Sequence, residues 1–326
     1  MTDQQQMPGI GEAASPAAVA AGGGAVPGAL GPDGGDAAPA RSLTSDAWRQ
    51  LRRRPMFWVS AALILTFVLM AAFPQLFTRT DPHAADLMRS REKPSGEAWF
   101  GFDLQGADIY ARTVYGARAS IIVGVLTTIT TLVLGSIMGT LAAFFGGIWD
   151  AILMRVTDMF FAIPMLLGGI LFMSSFPNPP DSPFYLVVGK VVFVLSLFGW
   201  PNIARLMRGS VLQVKENEYV MAARALGAGN GRIILKHVLP NAFAPALVVS
   251  TINLGMFIAA EATLSFLGIG LTPPAISWGL AISDATVAIY VAPHMLIFPS
   301  IFLSLTVLAF ILLGDVIRDA FDPKQR

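Results

Sequence analysis

The chain has no cysteine and only three histidines among its 326 residues. The lack of cysteine excludes disulfides, thiolate metal ligands and cysteine nucleophiles. His83, His237 and His294 stand far apart in sequence and show no metal-ligand spacing, so the sequence predicts no metal site.

Charged residues are also scarce. Asp, Glu, Lys and Arg make up 13% of the chain, against about 25% in a typical soluble protein. The net charge of +1 gives no basic field of the kind that binds nucleic acid, so no nucleic-acid partner is expected.

Apolar residues dominate instead. They make up 54% of the chain, and the mean hydropathy is +0.63. This leaves too little polar surface to cover a water-soluble body of this length. The sequence therefore predicts an all-α integral membrane protein with a lipid bilayer as its surroundings.

Composition divides the chain into three parts. Residues 1–44 are rich in Ala, Gly and Pro and have few large side chains to bury, which predicts a disordered cytoplasmic tail. Residues 45–118 hold a first span and an extracytoplasmic loop. Residues 119–326 form a core domain of five further spans, with a long loop at 205–240.

Each predicted span is an apolar run near the roughly 20 residues that cross a bilayer as a helix. The six runs are Pro55–Thr78, Ala119–Gly146, Ala151–Ser175, Phe184–Ala204, Ala242–Gly270 and Met295–Gly314. Asp284 lies in the segment Trp278–Pro293, so a short external helix is predicted there rather than a seventh span.

Lys and Arg in the short loops predict the orientation. An arginine cluster, Arg49 and Arg52–Arg54, precedes the first span, and the loop between spans four and five is also rich in Lys and Arg. The segments 176–183 and 271–294 contain neither residue type. We therefore expect a multi-pass protein of the cytoplasmic membrane with both termini in the cytoplasm.

The loop between spans four and five has its own helical pattern. Asn217 is a candidate N-cap for a helix over residues 218–226, and the glycine-rich segment 227–231 ends that helix. A second short helix is predicted over Arg232–Val238, and Pro240 then stands at the start of span five. Such a water-exposed helix-turn-helix suits docking by a soluble partner.

This loop resembles the signature of ABC importer permeases, which reads Glu-Ala-Ala, three residues, Gly, nine residues and Ile-x-Leu-Pro. The chain has Ala222-Ala223, Gly227 and Leu239-Pro240 at that spacing. Met221 replaces the usual Glu and His237 the usual Ile, so no contact of that Glu carries over. The whole segment is similar to the peptide branch of these permeases.

Further segments are similar to the same branch. They are Trp99–Asp108, Tyr115–Arg118, Arg155–Pro164, Glu261–Gly279 and Leu313–Pro323. Ala107 stands where the family usually has Arg. From residue 45 onward the chain thus resembles the second permease subunit of the oligopeptide/dipeptide (peptide/opine/nickel) uptake family.

The resemblance implies a type I importer permease with a cytoplasmic coupling helix between spans four and five. It implies a second homologous permease subunit, ATP-binding subunits as two chains or one fused chain, an extracytoplasmic substrate-binding protein and a peptide substrate. ATP and Mg are expected on the partner subunits, since the chain lacks a Gly-x4-Gly-Lys-Ser/Thr phosphate loop. The residues expected to couple to the ATPase are Tyr219, Ala222, Ala223, Arg224, Gly227, Leu239 and Pro240.

Ionisable residues within the spans have two interpretations each. Glu261, with Ser265 one turn later, is either part of the translocation path or a helix–helix hydrogen-bond partner. Two pairs at a spacing of three are expected to form interfacial ion pairs rather than substrate contacts, Arg155 with Asp158 and Asp315 with Arg318. Lys190 is expected either to reach toward the outer surface or to mark the outer start of span four.

Other functional classes fit the sequence less well. An intramembrane protease needs paired catalytic groups, and Ser265 has no histidine within a span to activate it. A secondary transporter often shows inverted repeats, and no internal repeat is evident. Within the favoured class, nickel chelates and opines are alternatives to peptides.

Overall fold

A computed structural model describes residues 43–179 and 181–321. The predicted tail therefore lies outside the described residues, except for residues 43 and 44, which begin the first helix. The described residues form helices and loops, with no β-strand. The α-helices are α1 Leu43–Arg53, α2 Pro55–Ala72, α3 Ile109–Phe145, α4 Gly147–Phe161, α5 Met165–Ser175, α6 Phe184–Val214, α7 Glu218–Ala225, α8 Asn230–Ile233, α9 Leu239–Ala242, α10 Ala244–Phe266, α11 Trp278–Ala285 and α12 His294–Phe321.

Five long helices and one bent pair account for up to six membrane crossings in the described part of the chain. Five helices are long and apolar enough to cross a bilayer, namely α2, α3, α6, α10 and α12. The sixth crossing is α4 followed by α5, which meet at an angle of 78°. Pro164, the N-cap of α5, has no amide hydrogen and disfavours helical backbone before it, so the chain breaks here. The predicted single helix over Ala151–Ser175 is wrong in this respect.

Several predicted span boundaries also differ, since α3 begins at Ile109 rather than Ala119 and α12 continues to Phe321 rather than ending at Gly314. The first span ends at Ala72 rather than Thr78, because Pro74 begins a separate 3-10 turn. Span four does not stop at Ala204 but continues to Val214. Met207 and Val211, one turn apart, are both fully buried and keep this extension packed against the bundle.

α3 is the central helix, and its small residues allow close contact with its neighbours. A Cβ added to Gly139 would lie 2.3 Å from the Ala204 carbonyl oxygen of α6. One added to Gly124 would lie 2.4 Å from Ile258 of α10. α3 and α6 therefore approach almost backbone to backbone at Gly139, whereas Gly124 makes room for the Ile258 side chain.

The bundle has two ends, which we name by their short helices. The α7 end carries α7 and the α1–α12 contact, and the α11 end carries α11 and the segment before α3. At the α11 end, the Asp108 carboxylate caps α3 by accepting from the amides of Tyr110 and Ala111. The predicted short helix at the α11 end is confirmed as α11, which the Ser277 hydroxyl caps through the Leu280 amide.

Candidate functional site

In the segment between α6 and α10, a single buried side chain holds α7 on the bundle. Val220 is 1% exposed and packs in one cluster with Val211 of α6 and with Ile233 and Val238. It is the one buried residue of α7. This contact fixes the helix on the bundle and leaves its opposite face open.

The open face of α7 carries most of the residues expected to couple to a partner. Tyr219, Met221, Ala222 and Arg224 are exposed, while Ala223 is half-buried. Leu226, directly after the helix, is 89% exposed. Two small side chains beside large apolar ones and a cation form a surface that another protein can approach closely.

Gly227 ends α7 in a Schellman motif. The amide of Ala228 donates to the Ala223 carbonyl at 3.1 Å, and the amide of Gly227 donates to the Arg224 carbonyl at 3.0 Å. Gly227 has φ +81°, a left-handed conformation that side chains disfavour. An added Cβ would meet nothing within 4 Å. Glycine is therefore needed here for its backbone conformation and not for space.

The start of α7 and the following helix differ from the prediction. Asn217 occupies the N-cap position, but its side chain makes no capping hydrogen bond. The expected helix over Arg232–Val238 is instead α8 followed by a π-turn over Ile234–Val238. Pro240 has no amide hydrogen for the Lys236 carbonyl, and the backbone widens into the π-turn just before it.

Leu239 and Pro240 connect this segment to α10. Leu239 is half-buried against the same apolar cluster as Val220, and Pro240 is exposed. At the other end of the segment, the Lys215 ammonium donates to the Ala143 carbonyl near the end of α3, at 2.8 Å. Both ends of the segment are thus attached to spans.

Two ion pairs attach the bent crossing to α6. Arg208 donates two hydrogen bonds to the Asp150 carboxylate, both of 2.6 Å. Arg205 donates to Asp158 at 2.7 Å, and its guanidinium lies 3.8 Å from the centre of the Phe161 ring. The predicted pair of Arg155 with Asp158 is therefore wrong, because a cation from α6 takes the carboxylate.

The second predicted ion pair is wrong as well. Asp315 and Arg318 are both exposed and form no salt bridge with each other in the part of the chain that the structure describes. Their neighbour Asp319 pairs at 2.6 Å with Arg54, which lies at the junction of α1 and α2. The partner comes from the other end of the sequence, so helical spacing alone could not predict it.

Glu261 is fully buried and is hydrogen-bonded within α10. The Ser265 hydroxyl donates to its carboxyl at 2.7 Å and accepts from the Leu271 amide at 3.0 Å. The hydroxyls of Ser120 on α3 and Ser277 before α11 also face this carboxyl. Glu261 is 0% exposed within the single chain, which favours the hydrogen-bonding interpretation over a lining of the translocation path.

The α11 end has further polar contacts. The Lys190 ammonium donates to the Asn178 side chain at 3.2 Å, as expected for a side chain that reaches toward this end. Arg112 binds the Asp103 carboxylate and lies 3.9 Å from Asp284. Burial raises the pKa of the Asp284 carboxyl, and the Arg112 charge opposes this rise.

The sequence analysis did not predict the ion pairs of Arg112, Arg205 and Arg208. For Arg205 and Arg208, the spacing of the charged residues gave a partial signal. Asp150 and Asp158 are eight residues apart and share one face of α4, while Arg205 and Arg208 are three apart on α6. Each spacing places two like charges on one helix face, but which two faces meet depends on the tertiary contacts.

Comparison with known proteins defines the class. The family described as "Binding-protein-dependent transport system inner membrane component" matches residues 131–326. The "N-terminal TM domain of oligopeptide transport permease C" matches residues 42–94. A solved structure of the MetNI methionine ABC transporter aligns with a TM-score of 0.51 and 19% identity, over 64% of this chain and 96% of that chain, and shares the fold.

Curated relatives match most of the chain. The oligopeptide transport system permease protein OppC of Bacillus subtilis is 39% identical over 285 residues, 87% of this chain and 91% of the relative. The dipeptide permease DppC of the same organism is 37% identical over 290 residues, 88% of each chain. The glutathione permease GsiD of Pectobacterium atrosepticum is 35% identical over 287 residues, 88% of this chain and 93% of the relative.

The fold and the exposed helix between two spans are those of a transmembrane permease subunit of an ABC importer. The chain belongs to the family of binding-protein-dependent transport system inner membrane components.

Proposed function

We propose that this chain translocates oligopeptides or dipeptides across the cytoplasmic membrane, together with a second homologous permease subunit. An extracytoplasmic binding protein delivers the peptide, and ATP-binding subunits bind ATP and Mg and carry out hydrolysis. The names of the relatives OppC and DppC support the substrate class. The Lys and Arg near α1 and in the segment after α6 support cytoplasmic termini and a cytoplasmic α7.

The observation that carries the coupling role is the exposed face of α7. A helix fixed by the buried Val220 and ended by Gly227 presents Tyr219, Ala222 and Arg224 outward. Val220 packs with α6 and with the segment leading to α10, so a push on α7 is transmitted to two spans. ATP-driven closure of the partner then moves α7 as a rigid lever, and the bundle alternates between outward and inward access.

The docking role can be tested by crosslinking, since the chain has no cysteine of its own. Ala222→Cys puts a unique thiol on the exposed face of α7. We expect it to crosslink to an ATP-binding subunit in native membranes, with mass spectrometry identifying the product. Ala84→Cys is the matched control, because Ala84 is equally exposed but lies at the α11 end.

Gentle detergent purification of the tagged chain tests the assembly. Recovery of a second permease subunit and an ATP-binding protein in fixed ratio supports the importer. A chain that runs alone or as a homo-oligomer, with no crosslinked ATPase, contradicts it and favours a secondary transporter.

Glutathione is a second candidate substrate, because a relative of similar identity is named as its permease. Uptake assays in cells with and without the chain separate the alternatives. Loss of di- and oligopeptide uptake supports the first proposal, whereas loss of only glutathione, nickel-chelate or opine uptake moves the assignment to that solute.

A further inference from the structure

α1 lies beside the first span and packs against α12 and α2. Leu51 is buried against Val316 and Ala320 of α12. Arg54, just after α1, pairs with Asp319 on the same helix. The Trp58 indole nitrogen of α2 donates to the Arg52 carbonyl at 3.1 Å. These contacts fix α1 at the α7 end of the bundle, where α2 begins.

Three arginines lie on the side of α1 away from Leu51, and Trp48 lies at the edge of that side, in ring contact with α2. A helix turns by about 100° per residue, so Arg52, Arg49 and Arg53 lie about 40°, 100° and 140° from Trp48. Leu51 lies about 300° from Trp48 in the same direction, on the attached side. Trp48, Arg49, Arg52 and Arg53 are all exposed, in agreement with this arrangement.

These three arginines have no carboxylate partner among the described residues. The one salt bridge that the cluster forms there uses Arg54. The Arg52 guanidinium lies 5.8 Å from the Trp48 ring centre, which leaves its charge uncompensated. Arg52 and Arg53 lie in the last turn of α1, where their positive charge interacts favourably with the helix dipole. This interaction does not occupy the guanidinium groups, so they can still bind an anion.

The apolar span and the tryptophans beside these arginines indicate which kind of anion they bind. Pro55 begins an apolar span directly after the cluster, so the arginines lie at the depth where a bilayer carries its headgroups. Trp48 and Trp58 are both exposed beside them, and tryptophan is enriched at this interface. Arginines and tryptophans at the end of a span suit an anionic phospholipid, since the arginines can bind the headgroup and the tryptophans can contact the acyl chains.

We propose that Arg49, Arg52 and Arg53 of α1 bind the phosphate of an anionic phospholipid such as phosphatidylglycerol. The lipid joins α1 to the bilayer on its open side, while Leu51 and Arg54 join it to α12 on the other. This site is separate from the coupling helix and does not depend on the identity of the transported solute.

Native mass spectrometry of the full-length chain in neutral detergent tests the proposal. Dioleoyl phosphatidylglycerol and dioleoyl phosphatidylcholine are titrated separately, and the apparent Kd for the first retained lipid is measured. We expect tighter binding of phosphatidylglycerol, with a preference that weakens as salt is raised. An excess of inorganic phosphate should not displace the lipid, because phosphate has no acyl chains to contact the exposed tryptophans.

The triple variant R49Q/R52Q/R53Q should lose this preference. A cation near an anionic surface contributes about fivefold in affinity, so we expect a loss of about a hundredfold at low ionic strength. The control R79Q/R91Q/K93Q removes the same charge from exposed residues at the α11 end and should bind as the wild type does. The variant R49K/R52K/R53K keeps the charge and should keep the preference.

Three results would overturn the proposal. They are equal affinity of the wild type for the two lipids, unchanged binding by the glutamine triple variant, and an equal loss in the α11-end control. Thermal unfolding in the lipid-free detergent checks that the glutamine variant is folded. If it is not, the lysine triple variant decides, because loss of the preference there contradicts a charge-based site.

Discussion

The two ends of the bundle are held together in different ways. At the α11 end, backbones touch: a Cβ on Gly279 of α11 would lie 2.6 Å from the Ala262 carbonyl oxygen of α10. The fully buried Trp278 donates to the Thr113 carbonyl of α3 at 2.8 Å. At the α7 end, α4 and α7 bury one residue each, Thr157 and Val220. α11 is therefore fixed by close backbone contact, while α4 and α7 are attached through a few side chains and ion pairs.

Gly279→Ala should have the largest effect on stability. Its added methyl group would lie 2.6–2.8 Å from atoms of Ala262 and Ser265, most of them backbone, so α11 must move away. We expect a loss of about 3 kcal/mol, measured as thermal unfolding in detergent. Gly229→Ala at the α7 end is the matched control, because nothing lies within 4 Å of its Cβ and its φ is −69°. Equal losses in the two variants would contradict the contrast between the ends.

Glu261→Ala should cause the second-largest loss of stability. It leaves the Ser265 hydroxyl without its acceptor and creates a cavity among α3, α10 and α11, for a loss of about 2–3 kcal/mol. Glu261→Gln keeps the volume and an acceptor oxygen and should lose much less. The same unfolding assay separates the two variants. Uptake that falls equally in both while their stability is unchanged would instead support a role of Glu261 in the translocation path.

The ion pairs of α4 should contribute less to stability than the Gly279 and Glu261 contacts do. Asp158→Asn removes a pair in which both side chains are about half exposed, and such pairs contribute about 0.2–1 kcal/mol. Asp150→Asn removes a two-fold hydrogen-bonded and less exposed pair, so its effect should be the larger. Unfolding measured at low and high salt checks both, since the loss should shrink as salt rises. A greater loss for Asp158→Asn would contradict this order.

Asp284→Asn should have the smallest effect on stability, and it should stabilise the fold rather than destabilise it. The carboxyl has a raised pKa because burial disfavours its charge, so the charged form slightly destabilises the fold. Replacing it should raise the melting temperature a little at neutral pH. The difference should shrink as the pH falls through the raised pKa and vanish once the pH is also below the ordinary carboxyl pKa, where the carboxyl is protonated in both the folded and the unfolded state. A lower melting temperature at neutral pH would show that the Arg112 contact outweighs burial.

Local patterns predicted much of this molecule. Apolar runs indicated the six crossings, and Ala222, Ala223 and Gly227 indicated the short exposed helix and its end. In each case the signal lies within one helix, where periodicity and residue size determine the result.

The errors came from contacts between distant segments. Asp158 was assigned to Arg155 on its own helix, but Arg205 is 47 residues away in sequence and lies closer in space. The extension of α6 beyond Ala204 depends on the burial of Met207 and Val211 by other elements. The carboxyl of Glu261 finds hydroxyl groups on three segments, and no local pattern indicates which of them face it.

The central claim is that α7 transmits ATP hydrolysis to the spans, and Gly227→Val in the reconstituted importer tests it most directly. Valine opposes the left-handed backbone of Gly227 by about 1–2 kcal/mol yet meets no neighbour, so the bundle should stay folded while the end of α7 changes. Gly227→Asn, which tolerates this conformation, and Gly229→Val are the controls. We predict that Gly227→Val alone separates ATP hydrolysis from peptide uptake; full uptake with normal stimulation of the ATPase by this variant would contradict the account.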